Sequence, residues 1–155
     1  MQASTFISYR ESSSRGYAED NVAAKRWLEA DALEQARENF DSLLPEGLAT
    51  PDNYLYEIQA TTDEAQPNIH VGYLWFAVVT KSGVRTGYVY DLEVFPEFRR
   101  RGHAERAFES LEPIARELGL ISIALHVFAH NPAAQSLYAK LGYQLTSYNM
   151  TKLLP

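Results

Sequence analysis

Three arginines, Arg99, Arg100 and Arg101, stand directly against Gly102 and His103 in a chain whose formal charge is −6, from 14 basic and 20 acidic residues. They fall where a strand-like run, Tyr88 to Phe95, hands over to a helix-like stripe that begins near Gly102. The first turn of a helix carries backbone N–H groups without intrahelical acceptors. Together with the helix dipole these favour an anion. Gly102 lets a ligand come close to the main chain, and the small Ala104 keeps that approach clear. Cationic side chains at a helix start cost roughly 0.3–1 kcal/mol each, so three together point to an anionic ligand that compensates them. A solvated surface cluster is the competing reading of the arginines alone. A nucleotide P-loop is excluded, because no GK[ST] follows and no G-x-G-x-x-G occurs.

A second group of residues carries proton chemistry. Asp91 and Glu93 lie on the strand that enters the arginine loop, and period-2 alternation puts them on one face, with Leu92 and Val94 on the other. Carboxylates so placed can accept a proton directly or through water, or hold a cationic group. His126, on the following strand, is a further candidate base, with a satisfied core histidine as its alternative. His126 and His130 also have a spacing of four, but Val127 stands where HExxH needs glutamate. That pair falls at a strand end instead of within a helix, so no metal site is expected.

The surrounding elements read as an α/β architecture. At 155 residues, with 46% apolar and 12% aromatic content, one domain over 1–155 with a sizeable core is expected. "TFISY" alternates well enough for a short strand. From Ser14 to Leu44 two amphipathic helical stretches follow, the second opening at a capping-box pattern, Asp31 and Glu34. Three aromatic and β-branched stretches come next: "YLYEIQA", "HVGYLWFAVV" and "TGYVYDLEVF". The short gap at Lys81–Gly83 makes the last two a hairpin, and alternation puts Tyr73 and Trp75 opposite Phe76. Ala104, Ala107, Phe108, Leu111, Ile114, Ala115 and Leu118 form a helix stripe ended by Gly119. "LISIALHVF" reads as a central buried strand. Asn131 and Pro132 cap the next helix, Gly142 stops it, and "YQLTSYNMTKL" reads as a closing strand. The acidic balance argues against a nucleic-acid surface. No apolar run approaches a membrane span and no leader is visible, so a soluble cytoplasmic protein is expected.

Two of these stretches resemble one family. Arg99-x-x-Gly102-x-Ala104 fits the Q/R-x-x-G-x-G/A signature of the GNAT superfamily of N-acetyltransferases, and "NPAAQSLYAKLGY" is similar to its N-x-x-A-x-x-x-Y-x-x-x-G-F/Y segment. Both occur in the family's order, separated by a helix and a strand, and the specific part covers about residues 88 to 150. "LPEGL", "LHVFAHN" and the M-x-K ending also look like small bacterial members of undefined substrate. The resemblance implies a mixed, mostly antiparallel sheet of six to seven strands flanked by about four helices.

It also implies acetyl-CoA as co-substrate and an amine as acceptor, and a homodimer is among the arrangements the family allows. The diphosphate would be held by the backbone from Arg100 through Arg101, Gly102 and His103 to Ala104, with the Arg99 side chain. Val94 and Asn131 would touch the pantetheine arm. Tyr138 takes the place of the family's general acid, while the base stays open between Glu93, Asp91, His126 and water. With no cysteine and no G-x-S-x-G elbow, direct attack in a ternary complex is expected over an acyl-enzyme. A module that binds acyl-CoA without turnover is the alternative function.

Overall fold

The computed structural model describes residues 1–61, 68–81 and 83–152. The chain opens with two helices, α1 (Ala3–Ala23) and α2 (Glu29–Leu43). Three long strands follow, β1 (Asn53–Ala60), β2 (Ile69–Lys81) and β3 (Val84–Val94). Then come α3 (His103–Glu117), a short β4 (Ile123–Leu125) and α4 (Pro132–Lys140). The strands lie in the order β1-β2-β3-β4, with the first two pairings antiparallel and β3–β4 parallel. The β2–β3 hairpin forms as its short gap suggested, with Lys81 opposite Val84. Among the described residues, no helix is long and apolar enough to cross a membrane.

Alternation along β2 builds a core on each face of the sheet. Leu74, Phe76 and Val78 pack with Val89 against Phe108, Leu111 and Ala115 of α3. Tyr73 and Trp75 turn the other way and meet Tyr9 of α1 and Phe40 of α2. Small residues Ala18, Ala32 and Ala36 let the two N-terminal helices approach closely. Ion pairs bridge the same helices, with Arg37 on Glu11 and Arg10 on Asp41.

The sheet corrects the sequence reading in strand number. Four strands and four helices are described, not six to seven strands. "TFISY" lies inside α1, whose buried positions Tyr9, Ser14, Ala18 and Asn21 follow a helical rhythm. That face is built from aromatic and small residues, so its period is hidden from a count of aliphatic side chains. "LISIALHVF" contributes only Ile123–Leu125 to the sheet and sits at its edge, not its centre. Residues 143–152 of the expected closing strand pair with no strand among the described residues, with Leu145, Tyr148 and Met150 exposed; residue 153 lies outside the described residues. Apolar content there signals a strand only where a neighbouring edge accepts it. The start of α2 differs too: the helix begins at Glu29 behind Leu28, and Asp31 falls within its first turn instead of capping it.

One irregularity shapes the site. Trp75 is opposite Asp91 and Phe76 is opposite Val89, so Tyr90 is an extra residue in β3. A bulge of this kind bends the strand and re-aims its side chains. β4 pairs with β3 only from Gly87 to Val89, ending at the same place.

Candidate active site

Beyond Val89 the two parallel strands separate and a cleft of about 1330 Å³ opens between them. The unpaired edge of β3 from Tyr90 to Val94 forms one wall, and Leu125 to Phe128 the other. Ser13, Tyr17 and Asp20 of α1, the arginine loop, Asn131 and Tyr138 of α4 complete its lining.

The loop has the conformation an anion site requires. Arg99 is extended, Arg100 and Gly102 take φ of 63° and 77°, and α3 starts only at His103. Among the described residues, the backbone N–H groups from Arg100 to Glu105 reach no main-chain carbonyl. Gly102 caps the helix without any side-chain bond. Arg106 braces the loop from behind: its Nη2 donates to the Arg101 carbonyl at 3.0 Å and lies 3.0 Å from His103 Nδ1. A Cβ on Gly102 would stand 2.8 Å from Arg106 Nη1. The arginine side chains do not converge. Arg99 Nε donates to the Val94 carbonyl at 2.8 Å, and the Arg101 guanidinium lies over the Phe98 ring. The cradle is therefore made mainly of main-chain amides, and it suits a diphosphate.

Tyr138 faces this cleft from α4, with its ring edge-on to Phe108 at 5.4 Å. The sequence profile of the Acetyltransferase (GNAT) family matches residues 17–143. The chain is 34% identical over 154 residues to YycN of Bacillus subtilis, described as an uncharacterized N-acetyltransferase, covering 99% of this chain and 96% of YycN. YdgE of the same organism, described likewise, is 32% identical over 154 residues, with coverage of 99% and 95%. The crystal structure of YycN superposes with a TM-score of 0.89 at 35% identity, covering 100% of this chain and 96% of that one. The chain belongs to the GNAT acetyltransferase family. It is an acetyl-transferring enzyme, which sets aside the reading as a binding module without turnover.

Within this GNAT cleft the acidic pair is brought together as alternation on β3 suggested. Asp91 Oδ2 accepts hydrogen bonds from Tyr9 Oη and Ser13 Oγ, both at 3.0 Å. Burial pushes the Asp91 carboxyl above the ordinary aspartate range, while the two hydroxyls oppose that rise. Glu93 is half-buried; burial raises its pKa, the Asp91 charge adds to this, and Arg99 opposes it. Burial also raises Tyr138, and the Asp91 charge contributes, so the two groups share one electrostatic neighbourhood.

The histidines behave differently from one another. His126 is exposed on the cleft wall, edge-on to Phe128, and is not a core histidine. Its proton affinity is lowered by desolvation and then by Arg26. His130 turns away to Asp20 of α1, with Nε2 at 2.9 Å from Oδ1. Asn131 Oδ1 accepts from Ala134 N at 3.1 Å, so it caps α4 while lining the cleft. The α1 wall is what the sequence reading missed. Its signal was present: Tyr9, Ser13 and Tyr17 place hydroxyls at i, i+4 and i+8 on one helical face.

Proposed function

We propose that this GNAT enzyme moves the acetyl group of acetyl-CoA to a primary amine by direct attack in a ternary complex. The observation that carries the reading is the row of unpaired N–H groups at the head of α3, opening into the same cleft as Asp91, Glu93 and Tyr138. The amides from Arg100 to Ala104 hold the diphosphate, with the Arg99 side chain adding positive charge at its rim. The free edge of β3 from Tyr90 to Val94 offers main-chain groups to the pantetheine arm, as to an added strand. The Asn131 side-chain amide completes that wall.

An alkylammonium with a pKa of about 10.4 loses its proton at neutral pH only at a cost of roughly 4–5 kcal/mol. Glu93 accepts that proton, directly or through one water, and Asp91 beside it holds the ammonium before transfer. Burial in the cleft raises the proton affinity of Glu93, which suits a base. Tyr138 donates a hydrogen bond to the sulfur as it leaves. A thiol-release assay over amines and peptides, run beside acetyl-CoA calorimetry, tests the proposal. Coenzyme heat, thiol release with an amine and intersecting initial-rate lines are expected. Ping-pong lines, or no binding at millimolar coenzyme, would overturn it.

Two variants probe the halves of this site separately. Gly102→Ala places a side chain at a left-handed φ, costing about 1–2 kcal/mol, and pushes on Arg106. The acetyl-CoA Kd rises about tenfold by calorimetry. Glu93→Gln lowers kcat/KM for the amine about tenfold to a hundredfold, with Asp91 alongside taking over in part. The sign of the pH dependence follows from the base being active only when ionised. Wild-type rate therefore falls as pH drops through the raised Glu93 pKa, and in Glu93→Gln the acidic limb that remains is that of Asp91 alone.

A further inference from the structure

Outside the signature segments, one arrangement in α1 is more than packing. Tyr9 is 0% exposed, its ring locked between Phe40 and Tyr73 at centroid distances of 5.9 and 4.8 Å. Its hydroxyl therefore has a fixed position, and that position is 3.0 Å from Asp91 Oδ2. Ser13, one turn further along the same face, places its Oγ 3.0 Å from the same oxygen. Two neutral donors converge on one carboxylate oxygen, and no side chain among the described residues hydrogen-bonds to Oδ1. A purely cohesive contact needs no carboxylate, since the aromatic contacts of Tyr9 with Phe40 and Tyr73 already join α1 to α2 and the sheet.

We infer that Tyr9 and Ser13 are positioning residues for Asp91, pinning Oδ2 so that Oδ1 is presented to the ammonium of the acceptor. The inference rests on the N-acetyl transfer reading above and deepens its acceptor side. It makes the α1 hydroxyl stripe part of acceptor recognition, and it selects acceptors that arrive positively charged. Hydrogen bonds from neutral donors favour the ionised carboxylate. The other groups facing Asp91 are Asp20 from α1, Glu93 from β3, Tyr138 from α4 and Tyr73 from β2, behind Tyr9. Arg26 lies on the same cleft, while α2 contributes Asn39 and Phe40, which do not titrate.

The test is a carboxyl ¹³C NMR titration of the full chain without ligands, comparing wild type with Tyr9→Phe and Ser13→Ala. Loss of either donor raises the Asp91 midpoint by about half to one pH unit. Ser13→Ala leaves the Tyr9 aromatic contacts untouched, so the question survives if Tyr9→Phe unfolds. With the amine found by thiol release, KM for the amine rises about tenfold in Ser13→Ala while KM for acetyl-CoA stays constant, and Ser13→Thr restores the wild-type value. An Asp91 midpoint unmoved in both variants, or an amine KM unchanged in both, overturns the assignment. The titration needs neither coenzyme nor acceptor. If the transfer reading itself fails, wild type shows no coenzyme heat even though the Asp91 midpoint still moves.

Discussion

Tyr138→Phe slows acetyl transfer about 10²- to 10⁴-fold, the range for losing a positioned proton donor, while the acetyl-CoA Kd stays within about twofold. The substitution removes a hydroxyl and little else. The ring is held edge-on to Phe108 and beside Tyr143, at centroid distances of 5.4 and 5.8 Å, and phenylalanine keeps both contacts. Among the described residues the hydroxyl has no hydrogen-bond partner, so its loss orphans no buried group. In unperturbed terms a tyrosine near pKa 10 protonating a thiolate near 8.5 is uphill by about 2 kcal/mol. Burial and the nearby Asp91 raise Tyr138 further. In the proposed mechanism the residue therefore acts as a hydrogen-bond donor to the developing thiolate, completing proton transfer only after the acyl bond has broken. Steady-state thiol release sets the rate and calorimetry the affinity. Wild-type turnover in the variant would remove Tyr138 from the chemistry.

The half of the molecule legible in the sequence is the half whose structure is set locally. The α3 stripe, the glycine before it and the Asn131–Pro132 cap each rest on contacts within a few residues, and each appears where its pattern put it. The unpaired amides at Arg100–Glu105 follow from the same logic, since any helix start leaves donors free. What the sequence hid depends on distant partners. β4 is short because β3 bends away at the Tyr90 bulge, a property of the pairing and not of "LISIALHVF" itself. The helical state of "TFISY" is favoured by Tyr9 reaching Phe40, Tyr73 and Asp91, which lie 31 to 82 residues on. Consequently the arginine loop is legible as a motif, whereas the i, i+4 hydroxyls of Tyr9 and Ser13 acquire a meaning only once the fold brings Asp91 to them.

Gly72→Ala brings the second large effect, and it acts on the site through the backbone. Gly72 lies opposite Val94 where the β2–β3 ladder ends, beside the Tyr73–Glu93 pair. A Cβ there would stand 2.0 Å from the Glu93 carbonyl oxygen and 3.0 Å from Val94 Cα. Both obstacles are main chain, so no side-chain rotation relieves them. The strands must part, which strains the neighbouring Phe95 N–H to Val71 carbonyl bond of 2.9 Å and shifts the carboxylate of Glu93. Overpacking of this severity costs about 3 kcal/mol, which lowers Tm by roughly 6–12 °C for a chain of this size. The molecules that remain folded turn over slowly, because Glu93 and the Arg99-bound carbonyl of Val94 have moved together. Gly16→Ala is the matched control: it sits within α1, its added methyl meets nothing within 4 Å, and it raises stability by up to about 1 kcal/mol. Melting curves for the two variants thus move in opposite directions. A Gly72→Ala protein that melts at the wild-type temperature with wild-type turnover would show that β2 and β3 are not held in this register, and the placement of Glu93 would fall with it.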